Sequence, residues 1–198
     1  MNLLLLRSSE VSPDGLVRLE GRRLDHLREV LRVQKGQTLR VGVHGGLMGT
    51  AEVLSADTLK VTVTEPPPPR ANVSLVLAVP RPKQLKRVIP AVASLGVDRV
   101  VLVNAARVEK SYFDSKVLNT GFLDSLIDLG LEQACDTVPP VVEIRERLKP
   151  FIEDELATWA PPDALKLIPH PYATDGLRPV PAATHVVLAI GPDGGWVP

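Results

Sequence analysis

One cysteine, Cys135, occurs in the 198 residues, so no intrachain disulfide can form. That usage points to a reducing, cytoplasmic setting. The four histidines, His26, His44, His170 and His185, are dispersed. With a single cysteine they make no metal-ligand pattern, and no metal is expected. Aromatic residues are 4% of the chain against 44% hydrophobic residues overall, so the core must be aliphatic. No apolar run approaches the ~18 residues of a membrane span. The four leucines of NLLLLRSS fall short of the ~7–15 apolar residues of a secretory signal. Net charge is zero, which removes any global electrostatic argument for a polyanionic partner.

The charge is unevenly spread, however. Residues 18–40 carry seven basic side chains against three acidic ones, and residues 81–110 carry seven against two. Two basic stretches on a neutral chain form either local anion-binding faces or ordinary solvated faces. Proline is plentiful, and four in a row at 66–69 (EPPPPR) can join neither a helix interior nor a central strand. The run reads as a stiff spacer. It divides the chain into residues 1–68 and 69–198.

Residues 1–68 read mostly as strands. Short apolar runs at 3–6 and 16–19 flank the turn cluster SSEVSPDG. TLRVGV (38–43) and GTAEVL (49–54) flank HGGLM, a hairpin signal, and TLKVTVTE (58–65) alternates with period two. In GRRLDHLREVLRV, Leu24, Leu27, Val30 and Leu31 recur at three and four, which predicts an amphipathic helix. Strands around one helix suggest a small β-barrel. Residues 69–198 alternate instead: strands at 73–79, 99–103, 139–144, 164–168 and 185–190, helices at 84–96, 115–134 and 148–159. Pro90 should kink or end the first of those helices. Near-continuous apolar strands between helices predict a parallel sheet buried on both faces.

The last strand ends in IGPDGG, residues 190–195. Ligands of open α/β sheets sit outside the carboxyl ends of strands. Glycines let a backbone approach a ligand closely. The loop has neither the Gly-Lys-Ser/Thr of a Walker loop nor a Gly-x-Gly-x-x-Gly fingerprint. On these residues alone it is a ligand loop or a plain strand-to-helix turn, with Asp193 a candidate helix cap.

IGPDGG resembles the IGPEGG loop of the RsmE-type rRNA uridine N3-methyltransferases, a branch of the SPOUT class. Further stretches are similar in the same order. RRLDHLREVLRVQKGQTLRV resembles the family's HHL.RVLR...G segment at His26, Val30, Leu31, Arg32 and Gly36. AVPRPKQLKRVIPAVASLGV resembles the segment that reads LPK and ends LGV. NAARVEKSYF places Arg107 at the usual arginine, LEQACDTVPPV resembles EQ...R...VP, and PHP at 169–171 resembles a His-Pro pair before the last strand. Asp193 replaces the family's Glu, and Cys135 or Asp136 stands where related chains often carry Arg.

The resemblance implies an α/β fold in two domains: an N-terminal PUA-like β-barrel that binds RNA and a C-terminal SPOUT α/β domain with a mostly parallel sheet. It further implies S-adenosyl-L-methionine held in a trefoil knot, a homodimer, and small-subunit ribosomal RNA as substrate. Members of the family continue beyond the loop with a helix and an LG..ILR.ETA segment that lines the cofactor. A tail of that kind is expected after residue 198. The cofactor residues expected here are His170, Pro171, Ile190, Gly191, Pro192, Gly194 and Gly195. Arg107, just past the carboxyl end of a strand, is the candidate catalytic cation, for N3 methylation requires a uracil anion that a nearby positive charge stabilises; pairing with Glu109 or with a phosphate is the competing reading. Arg22, Arg23, His26, Arg28, Arg32 and Lys35 are the candidate RNA contacts, phosphate forks on the sharper reading and a solvated face on the plainer one. No His–carboxylate pair marks a general base. A pure RNA-binding module and an unrelated small-molecule α/β enzyme are the competing functions, the basic stretches and the barrel arguing against the second.

Overall fold

The computed structural model describes residues 2–170, 172–174, 176, 179–181 and 184–197. It divides into two compact units, Met1–Pro69 with Asp128–Pro139, and Arg70–Ile127 with Pro140–Pro198.

In the first unit lie β1 (Leu4–Leu6), β2 (Leu16–Arg18), α1 (Gly21–Asp25), β3 (Thr38–Val43), β4 (Met48–Val53) and β5 (Thr58–Glu65). The strands form one curled sheet, a half-barrel, in the order β1-β3-β4-β5-β2. β1 runs parallel to β3 and every other pair is antiparallel. HGGLM makes the expected hairpin, closed by Val43 N–H to the Leu47 carbonyl at 2.9 Å. The period-two alternation of β5 sends Leu59 and Val61 inward, onto a core with Leu4, Leu6, Val17, Val41 and Val53. Each such side chain contributes about 1.5–3 kcal/mol by leaving water. Residues 128–139 belong to this unit through specific bonds. Asn2 and Leu3 N–H both reach the Glu132 carbonyl at 3.1 Å, and Gly45 N–H reaches the Thr137 carbonyl at 2.7 Å.

The expected amphipathic helix is only partly realised. Five residues of α1 pass into a π turn, His26–Val30, with Leu31 N–H bonded to the His26 carbonyl at 3.0 Å. The extra residue in that turn rotates the succeeding side chains off the apolar stripe. Leu27 is buried, while Val30 is 64% and Leu31 44% exposed. Arg32 then takes a left-handed backbone (φ 49°) where the helix stops.

The second unit contains β6 (Ala71–Ala78), α2 (Pro82–Ser94), β7 (Val97–Val103) and α3 (Lys110–Phe113). α4 (Thr120–Ala134) comes next, and the division between units falls inside it at Asp128. Then come β8 (Val141–Arg145), α5 (Leu148–Pro150), a π turn at Phe151–Glu155, α6 (Leu156–Trp159), β9 (Leu165–Leu167) and β10 (Val186–Ile190). The sheet order is β8-β7-β6-β10-β9, and all pairs are parallel. Val100 to Val103 have no exposed surface, as strands covered on both faces require.

Three elements differ from the sequence reading. α2 does not end at Pro90. Its buried residues Leu85, Ile89, Val92 and Ala93 lie on both sides of the proline, so packing holds the helix through the missing donor. The segment 115–134 opens with a separate 3-10 turn, Lys116–Leu118, capped by the Ser115 side chain, before α4 begins. The stretch 148–159 is broken by its π turn, which keeps Phe151 fully buried in an edge-to-face contact with Trp159, centroids 5.5 Å apart.

Register sets the functional end of this sheet. Ile190 pairs with Leu77, and Ala78 pairs with Val103. The carboxyl ends of β10, β6 and β7 are therefore level, and the loops after them share one end of the unit. Among the described residues no helix is long and apolar enough to cross a membrane, and no cluster of His, Cys, Asp and Glu is arranged to hold a metal ion.

Candidate functional site

β10 stops where its sequence turns from Val-Val-Leu-Ala-Ile to Gly191-Pro192-Asp193-Gly194-Gly195. Pro192 is buried, and its carbonyl accepts the Gly195 N–H at 2.8 Å. Asp193 and Gly194 form the exposed corner of this turn, and Gly195 carries a left-handed φ of +74°. Trp196 folds back over Gly191, where a Cβ would stand 3.2 Å from the indole. The indole N–H is buried and has no hydrogen-bond partner among the described residues. The N–H groups of Asp193 and Gly194 likewise lack partners among the described residues.

Two guanidinium groups hold the corner. Arg81, immediately before α2 on the loop after β6, places Nε 3.1 Å from Asp193 Oδ2. Arg107, on the loop after β7, donates from its guanidinium to the Gly194 carbonyl. The contact is close enough that a Cβ on Gly194 would stand 3.1 Å from Arg107 Cδ. Asp193, a candidate helix cap in the sequence, is an ion-pair partner of Arg81, and Arg107 is bound to the loop's own backbone. Glu109 lies beside Tyr112 and raises the phenol's pKa, an effect that the nearby Arg81 opposes. Unpartnered backbone donors on an exposed corner, beside two cations, suit a ligand with anionic or electron-rich groups.

Of the other residues expected here, Ile190 is the last of β10 and lies beside the loop. His170 is exposed, and its Nδ1 accepts the Tyr172 N–H at 3.2 Å. It borders a cleft of about 980 Å³ with Leu165, Leu167, Ile168 and Leu188, which the glycine loop does not line. Pro171 lies outside the described residues. Arg81 and Trp196 were not anticipated. The signal for Arg81 was its place directly after an apolar strand, in AVPRPK.

The basic residues of the first unit fall into two groups. Arg23 bonds the Glu10 carboxylate and the Leu5 carbonyl (2.9 Å), and Arg22 lies 3.4 Å from Glu132. The Arg23 hydrogen bond holds the Glu10 carboxyl below its ordinary value. Burial pushes Glu132 the other way, against the opposing pull of Arg22. His26 is half-buried, and its Nε2 has no partner among the described residues. Arg28, Arg32 and Lys35 are exposed and make no ion pair with any described residue.

Comparison with known proteins is consistent with this arrangement. The chain is similar to "Ribosomal RNA small subunit methyltransferase E" of Treponema pallidum, 29% identical over 157 residues, which are 76% of this chain and 59% of that protein. The chain thus spans well under two thirds of that relative's length. Its fold is similar to that of a ribosomal RNA small subunit methyltransferase E from Neisseria gonorrhoeae solved with S-adenosyl methionine, at TM-score 0.73 and 21% identity, covering 100% of this chain and 81% of the other. It is also similar to the methyltransferase Lpg2936 of Legionella pneumophila solved with the same cofactor, at TM-score 0.70 and 22% identity, covering 99% and 81%. A family model described as an RNA methyltransferase domain matches residues 66–198, the whole parallel sheet and the loops at its carboxyl end; the chain belongs to that family.

Proposed function

We propose that this protein transfers a methyl group from S-adenosyl-L-methionine to N3 of a uridine in small-subunit ribosomal RNA, as a cytoplasmic homodimer. In this reading residues 1–68 bind RNA and residues 69–198 carry the chemistry. The observation that carries it is the corner at Asp193-Gly194: unpartnered N–H groups at the carboxyl end of a parallel sheet, with Arg107 fastened beside them. The residues present suit the cofactor. Glycine at 191 and 194 lets the Trp196 indole and the Arg107 side chain lie close against the loop backbone, so an aromatic ring and a cation both stand beside the exposed N–H groups.

When bound, S-adenosyl-L-methionine supplies an electrophilic methyl group on a sulfonium. Ile190, Gly191, Pro192, Gly194 and Gly195 form the wall that receives it. To accept such a methyl group uracil N3 would first give up its proton to solvent water, and the charge of the resulting anion would spread over O2, N3 and O4. Arg107 is the cation at hand to stabilise it. Its hydrogen bond to the Gly194 carbonyl fixes where that charge is presented. Arg28, Arg32 and Lys35 contact phosphates, and Arg22, Arg23 and His26 shape the adjoining surface. With aromatics scarce, the RNA is recognised by shape and backbone more than by stacking.

The test is incubation of the full-length protein with methyl-labelled S-adenosyl-L-methionine and small-subunit RNA, followed by digestion to nucleosides and mass spectrometry. Label in 3-methyluridine is expected. Label in another base or on ribose contradicts the N3 assignment. RNA binding without any label favours the RNA-binding module.

A further inference from the structure

We propose that Arg81 is a positioning residue for the cofactor loop: its ion pair with Asp193 and the Arg107 bond to Gly194 together hold the corner in its binding shape. The inference rests on the reading of residues 191–195 as the cofactor wall.

The loop has little to hold itself. One backbone hydrogen bond, Gly195 N–H to the Pro192 carbonyl, closes the turn. Glycines at 194 and 195 leave the chain freer than any other residue would. Two external anchors supply what the loop lacks. They come from different strand ends and grip consecutive residues, Arg81 on the Asp193 side chain and Arg107 on the Gly194 carbonyl. A corner fixed before the ligand arrives does not have to be ordered by binding, and that gain appears as affinity.

The exposure of the pair separates this role from a structural one. Arg81 is 65% and Asp193 59% exposed at the side chain. An ion pair so open to solvent adds little to the stability of the fold. Its loss should therefore be felt in binding and hardly in unfolding.

The experiment is calorimetric titration of S-adenosyl-L-methionine into the full-length parent and variants, with the unfolding midpoint of each ligand-free protein measured alongside. Arg81→Ala should weaken binding by up to about fivefold. Arg81→Glu sets two carboxylates face to face and should weaken it about tenfold or more. The exchanged pair, Arg81→Asp with Asp193→Arg, should recover to within about twofold of the parent, and all midpoints should stay within about 2 °C, since an exposed pair shifts stability by well under the amount that moves a chain of this size further. In methylation assays Arg81→Ala should raise KM for the cofactor more than it lowers kcat. Unchanged affinity in Arg81→Glu overturns the proposal. So does an exchanged pair no better than the weaker single variant, or a midpoint that falls in step with affinity. A parent that binds no cofactor overturns the reading of the loop itself, a failure distinct from parent binding with indifferent variants.

Discussion

Gly194 and Gly195 are adjacent and are glycine for different reasons. At Gly194 the constraint is the neighbour, because a Cβ would press on Arg107 Cδ at 3.1 Å. At Gly195 it is the backbone, whose φ of +74° is costly for any L side chain. Gly194→Val should leave the ligand-free unfolding midpoint nearly unchanged, abolish methyl transfer, and remove the rise in midpoint that cofactor gives by mass action. Gly195→Ala should lower the ligand-free midpoint as well, by about 2–4 °C for roughly 1 kcal/mol of strain. Thermal unfolding with and without cofactor separates the two. A second residue-scale test concerns Glu143, which accepts hydrogen bonds from Trp159 at 2.6 Å, Arg99 at 3.0 Å and Arg145 at 3.1 Å. Burial works against its charge, but those bonds and cations outweigh it and its pKa is lowered. Its contribution is therefore present above the ordinary carboxylate range and is lost as pH falls through the depressed value. Glu143→Gln should cost about 1.5–3 kcal/mol near neutral pH. Its deficit against the parent in urea titrations should narrow below pH ~4. The glycines and Arg107 were legible in the sequence because a loop after an apolar strand has few roles. Arg81–Asp193 was not, since two residues 112 positions apart reveal their pairing only when strand register brings their loops together.

Elements built on a simple period matched their sequence, and the exceptions have local causes. β5 alternates as TLKVTVTE alternates, and Val100 to Val103 of β7 are buried as an unbroken apolar run must be. The helix of GRRLDHLREVLRV departs because its π turn adds a residue that periodicity does not encode. That turn leaves Val30, Leu31, Arg28 and Arg32 outward, a mixed apolar and basic surface. If this surface meets RNA phosphates, replacing Arg28 and Arg32 together by Ala should reduce the slope of log K against log salt by about 1.4–1.8. Arg23→Ala should instead lower the unfolding midpoint, because it strips Glu10 and the Leu5 carbonyl of a donor. Titration of RNA at several salt concentrations, beside thermal unfolding, distinguishes the two arginine classes. Glu132, on α4, sits in the same unit with a raised pKa that burial causes first. A raised carboxyl binds its proton more readily in the folded state, so stability is gained below the ordinary value and lost as pH rises through the raised one. Glu132→Gln, which mimics the protonated form, should match or exceed the parent at neutral pH in urea titration and lose that margin on acidification.

At the scale of the whole molecule, the change of pattern across the proline run predicts a small β-barrel and a parallel sheet; the structure has a curled half-barrel sheet, with β1 and β2 at its edges, and an all-parallel sheet. What that pattern could not give was the return of residues 128–139 to the first unit, since bonds such as Gly45 to Thr137 join positions far apart in the chain. If the cofactor binds at the level carboxyl ends of β10, β6 and β7, its footprint falls on three loops that are far apart in the chain. Hydrogen–deuterium exchange of the full-length protein, with and without S-adenosyl-L-methionine, tests it most directly. Exchange should slow on cofactor addition at 191–197, 104–109 and 79–82, with residues 38–65 unchanged. Protection confined to residues 38–65, or none at 191–197 while calorimetry shows the cofactor bound, would contradict it.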